Sequence, residues 1–166
     1  MSATLYKQSF FMPIPETFPT VNNNVFKIFF LCEDGQSLDR ALQLKEKLLD
    51  NCRDQADIEA DFCEYARLCH PRLRENATAH AATADMIIVS ARGTEALPAF
   101  VQTWMNEMSA RCSEKIVCAE FLHTDSSDRA SGFHRFMDNW AAQRGALLFS
   151  NLFPNCHFGD LEEVVA

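Results

Sequence analysis

The 166-residue chain has no apolar run approaching the roughly 18–20 residues that a membrane-spanning helix needs. Its first residues lack the basic region, apolar core and small-residue cleavage site of a secretory signal. None of its seven cysteines stands in a Cys-x-x-Cys pair, which argues against the usual zinc and dithiol motifs. Neither G-x-G-x-x-G nor the Walker A pattern occurs, so the two best-marked phosphate cradles are absent. Positive charge is also scarce: 15 Lys and Arg against 23 Asp and Glu give a net charge of −8. Such a surface repels phosphate backbones and anionic lipid, and the one basic stretch, Pro71-Arg72-Leu73-Arg74, falls at a helix start. Nucleic acid and membrane are therefore not expected partners, and a protein partner is.

What is present is the material of a core. Apolar residues make up 48% of the chain, and 14 residues are Phe, which suits a packed domain and opposes disorder. A domain of this size needs no covalent staple. The odd number and wide spacing of the cysteines likewise oppose a disulfide framework and point to reduced thiols in a cytoplasmic compartment.

Residues 1–24 carry Pro13, Pro15 and Pro19 before the polar run Asn22-Asn23-Asn24, a spacing that favours an extended path. Phe10, Phe11, Ile14 and Phe18 need cover from water. Two readings stay open: a strap packed on its own domain, or an arm exchanged with a second copy in a homodimer. Residues 25–166 are expected to form one domain.

There the pattern repeats as strand, turn, helix. Val25 to Cys32 is a nearly unbroken apolar run, the mark of a parallel strand buried on both faces, and it stops at Glu33-Asp34-Gly35. Ser37 is placed to cap the next helix with Asp39 in its first turn, and Leu38, Ala41, Leu42, Leu48, Leu49 and Cys52 share a face. Ile58 to Tyr65 alternates like an edge strand. Pro71 opens a second helix with a stripe of Leu73, Ala77, His80, Ala81 and Ala84. Met86 to Ser90 is the clearest strand. Pro98 opens a third helix with Val101, Trp104, Met105, Met108 and Cys112 on one face. Lys115 to Leu122 is the fourth strand, Phe133, Phe136, Met137, Trp140 and Ala141 mark the fourth helix, and a fifth strand starts at Ala146. The expected fold is α/β: a doubly wound, three-layer, five-stranded parallel sheet of order 2-1-3-4-5, flavodoxin-like or receiver-like.

In such sheets ligands bind beyond the carboxyl ends of the strands, where the strand order reverses. The candidate ligand-binding groups are Glu33 and Asp34 after the first strand, Ser90, Arg92 and Glu95 after the third, and His123 and Asp125 after the fourth. Glu33 and Asp34 can hold Mg²⁺ with water completing its shell, or can merely end the strand and favour the following helix. The polar connection His123 to Ser131 suits either a contact surface or a linker. Cys63, Cys69 and His70 lie close together without a paired metal motif.

An acidic pair at the end of a first strand in a five-unit α/β chain resembles the receiver domains of two-component signalling. The resemblance implies a Mg²⁺ site at Glu33 and Asp34. That family also has an Asp ending the third strand and a Lys ending the fifth, where this chain has Ser90-Ala91-Arg92 and Ser150-Asn151. The implied module is receiver-like without the phospho-acceptor. Residues 80–105 are similar to a family of uncharacterised small bacterial proteins: Ala81-Ala82-Thr83-Ala84-Asp85 leads into Met86-Ile87-Ile88-Val89-Ser90, and Leu97-Pro98 precedes Trp104. The same Ala-Asp-strand-Ser cadence loosely resembles TIR domains and nucleoside deoxyribosyltransferases. Flavodoxins bind the FMN phosphate through a loop that is acidic here, so no cofactor is expected. The function these features favour is a non-enzymatic signalling or protein-interaction module. The alternative is a small enzyme acting on a nucleotide or phosphorylated metabolite, with Arg92 holding an anion and Glu33 or Glu95 as acid or base.

Overall fold

A computed structural model describes residues 25–52, 56–123 and 131–153. The element order is β1 (Val25–Cys32), α1 (Gly35–Cys52), β2 (Asp57–Glu64), a 3-10 turn (Tyr65–Cys69), α2 (Pro71–Ala82), β3 (Met86–Ala91), α3 (Ala99–Ala110), β4 (Val117–Leu122), α4 (Ser131–Arg144) and β5 (Leu147–Phe153). The five strands form one parallel sheet in the order β2-β1-β3-β4-β5, flanked by the four helices. This is the doubly wound, flavodoxin-like arrangement read from the alternation of strand and helix. The N-terminal arm, Asp125 and the chain beyond Phe153 lie outside the described residues. No helix among those described is long and apolar enough to cross a membrane.

Two compact units are distinguished among the described residues: 25–27 with 43–52 and 56–59, and 28–42 with 60–123 and 131–153. In the first, Leu44, Leu48, Cys52 and Ile58 are buried, and the Ala56 N–H closes the end of α1 on the Cys52 carbonyl. The second holds the main core. Phe29, Leu31, Ile87, Val89, Ala91, Cys118 and Leu122, at alternate strand positions, meet Ala77 and Ala81 of α2, Val101, Trp104 and Met108 of α3, and Met137 and Trp140 of α4. Trp104 is fully buried, and its indole N–H donates to Thr78 Oγ1 at 2.9 Å while Phe29 lies against it at 5.9 Å between ring centres. A buried indole needs such an acceptor.

Several boundaries and faces differ from the sequence expectation. The first helix starts at Gly35, so Ser37 lies inside it and Asp39 lies beyond its first turn. The cap is Asp34, whose Oδ1 accepts the Ser37 N–H at 2.9 Å; two cap-type residues competed, and the one at the strand end satisfies an orphan donor. The buried stripe of α1 is Ser37, Ala41, Leu44, Leu48 and Cys52, whereas Leu42 is exposed: the 3.6-residue period carries it off that face. In α2 the buried positions are Ala77, Thr78 and Ala81, and the Thr78 hydroxyl bonds back to the Arg74 carbonyl, whereas His80 faces solvent 3.9 Å from Asp61. The fourth strand begins at Val117. The fifth continues through Ser150 and Asn151 to Phe153, with an irregularity in its pairing between Ala119 and Phe121.

Candidate functional site

Strand register assembles the carboxyl edge. β1 and β3 run side by side from Ile28 opposite Met86 to Cys32 opposite Ser90, so Glu33 leaves β1 beside Ala91, the last residue of β3, which is still paired with Leu122 of β4. The Glu33 N–H donates to the Ser90 carbonyl at 2.9 Å, and the His123 N–H to the Ala91 carbonyl at 3.0 Å. Gly93 then turns the chain with φ of +82°, where an added Cβ would come within 3.1 Å of Leu122. That left-handed conformation lets the chain turn away directly after Arg92, close to Leu122.

There Arg92 meets the acidic pair. Its backbone N–H donates to Glu33 Oε1 at 2.8 Å, and its Nη2 lies 3.4 Å from Glu33 Oε2 and 3.1 Å from Asp34 Oδ2. One guanidinium thus faces two carboxylates that would otherwise repel each other. The hydrogen bond and charge of Glu33, then the charge of Asp34, hold the guanidinium still more firmly protonated. Asp34 is held below the ordinary carboxyl range, chiefly by the Ser37 N–H, with Arg92 a smaller contributor and partial burial opposing. Both carboxylates serve as acceptors within the fold, Asp34 as helix cap and ion-pair partner at once.

The remaining sequence candidates divide. Ser90 is fully buried, and its hydroxyl donates to the Ser37 carbonyl at 2.8 Å, fastening the first turn of α1 to the end of β3. Glu95 is exposed and exerts a minor charge effect on Arg92. His123 stands at the end of β4 with its ring edge-on to Phe121 at 6.3 Å. Its basicity is lowered, first by burial and next by Arg40, with Asp34 and Glu33 opposing. A neutral imidazole therefore sits among four charged side chains.

Arg40 and Phe121 belong to this edge and were not singled out from the sequence. The Arg40 guanidinium lies 5.4 Å from the Phe121 ring centre. Tyr65, taken as a strand residue, opens the 3-10 turn and is buried, with burial foremost and then Glu33 raising its hydroxyl pKa. A signal for Arg40 existed: a cation three residues after Ser37 occupies the same helix face at the carboxyl edge.

No group of three or more His, Cys, Asp or Glu able to hold a metal occurs among the described residues. Burial pushes the Cys32 thiol up to about 12 and the Cys63 thiol up to about 11, which leaves both protonated and poor nucleophiles. Cys118, also buried, is raised further. Away from this edge, β4 places the fully buried carboxylate of Glu120 3.3 Å from His134 Nδ1, whose Nε2 lies 3.3 Å from Asp138. His134 thus bridges a buried and an exposed carboxylate. Comparison with known proteins finds no protein family, no curated protein and no solved structure that matches the chain.

Proposed function

We propose that this chain is a non-enzymatic interaction module with a receiver-like arrangement, in which the charge of the acidic pair is partly offset by the chain's own Arg92. One observation carries the reading: Arg92 lies against both Glu33 and Asp34, at the place where a Mg²⁺ ion would be needed to balance them. The Arg92 guanidinium supplies positive charge there without a metal, and no Asp ends β3 to accept phosphate. The enzymatic alternative needs Arg92 to hold a substrate anion, but the guanidinium already faces two carboxylates. The net charge of −8 supports a protein partner over nucleic acid, and the cysteine pattern supports a cytoplasmic setting. The reading is tested by incubation with acetyl phosphate and Mg²⁺ followed by intact-mass analysis. The expected result is no acid-labile phospho-adduct, and a stoichiometric one would overturn it.

A further inference from the structure

Among the described residues, five buried side-chain polar atoms lack a hydrogen-bond partner: Oγ of Ser37, Nε of Arg40, the hydroxyl of Tyr65 and both ring nitrogens of His123. Folded proteins pair the great majority of such atoms, and each exception points to a water, an ion or a ligand. Tyr65 packs in the core formed with α2, α3 and α4. The other three residues gather elsewhere. Ser37 and Arg40 stand three residues apart on α1, facing the same way. The turn carrying Ser37 is fastened to β3 by the Ser90 hydroxyl, and Ser37 itself is fully buried. Arg40 reaches the Phe121 ring on β4, and His123 meets the same ring. All three therefore lie between the first turns of α1 and the ends of β3 and β4, beside the reversal of strand order.

We propose that this crevice binds a small oxyanion, a carboxylate or phosphate group, held by Arg40, Ser37 and His123. Arg40 can only donate, the Ser37 hydroxyl, near Asp34 but without a well-formed hydrogen bond to it, can donate, and a neutral imidazole offers one N–H, so donors dominate. The start of α1 adds a favourable dipole. The local charges do not oppose a single negative charge: Glu33 and Asp34 are balanced by Arg92 and Arg40, two against two, and Arg92 is the cation in contact with both carboxylates. A cation entering here would meet Arg40 instead. The site goes beyond the Arg92 ion pair and is separate from it, so its failure would leave the neutralised acidic pair standing.

The test titrates the full chain near pH 6 with acetate, inorganic phosphate and chloride at matched ionic strength. Melting temperature and the His123 ring resonances are followed together. The expected result is a rise of roughly 3–6 °C over chloride once the anion exceeds its dissociation constant tenfold, with the His123 resonances moving in step. A response to acetate alone assigns a carboxylate, and a response to phosphate assigns a phosphate group. Both responses fall to the chloride level in Arg40→Gln and in Ser37→Ala; the smaller change, Ser37→Ala, decides the matter if Arg40→Gln does not fold. Neither anion exceeding chloride, or an undiminished response in these variants, overturns the site and leaves the unpartnered atoms to water.

Discussion

At the scale of single residues, the carboxyl edge depends on side chains that each perform two tasks. Asp34 caps α1 and faces Arg92. Asp34→Ala is expected to cost about 0.5–2 kcal/mol in a denaturant melt through the cap. Asp34→Asn keeps a capping oxygen and removes the charge, so it isolates the electrostatic part. Because the native carboxyl titrates below its ordinary value, its charge stabilises the fold above the unfolded-state pKa. That contribution is lost as pH falls through the lower native pKa. The stability gap between the wild type and Asp34→Asn should therefore be open at pH 7 and close in strong acid; a gap independent of pH would contradict this. Gly93 shows the same economy in the backbone. Gly93→Ala should lose roughly 1–2 kcal/mol, since an L-residue is strained at this φ and the new Cβ presses on Leu122. A denaturant midpoint equal to that of the wild type would show that the turn relaxes. The identities of Glu33, Asp34 and Arg92 stood out in the sequence, but their pairing did not. Arg92 and Glu33 are 59 positions apart, and only the register of β1 on β3 brings them together. Phe121 was hidden for the same reason.

At the scale of elements, burial governs what was legible. β1 and β3 announced themselves as continuous apolar runs because parallel strands are covered on both faces. The alternation in Ile58 to Tyr65 marked β2 as an edge strand, and its burial alternates from Asp57 to Phe62 before breaking at the buried Cys63. Element ends were less legible. The start of α1 turned on whether Asp34 or Ser37 supplied the cap, and sequence spacing does not rank two competent caps. The α3 face was read correctly at Val101, Trp104, Met105 and Met108, and it carries the largest single energetic expectation. Trp104→Ala should destabilise the protein by about 3–5 kcal/mol, as large core truncations do. Thr78→Ala should cost roughly 1–3 kcal/mol by leaving the indole N–H unpaired, although Thr78 is itself small. A Trp104→Ala change below about 1 kcal/mol would mean that this ring is not part of the core.

At the scale of the whole molecule, the fold supplies a crevice and the side chains decide what it does. The sheet order, read from the alternation of elements alone, located that crevice at the ends of β1, β3 and β4. Chemistry there depends on non-local contacts, and these show an acidic pair matched by an internal cation. The central claim is that Arg92 takes the place of a metal, and a Mg²⁺ titration followed by thermal melting tests it most directly. The account predicts no Mg²⁺-dependent rise in melting temperature for the wild type, and a rise at millimolar Mg²⁺ in Arg92→Ala, where the two carboxylates are left facing each other. A clear rise in the wild type that disappears when Glu33→Gln and Asp34→Asn are combined would contradict it.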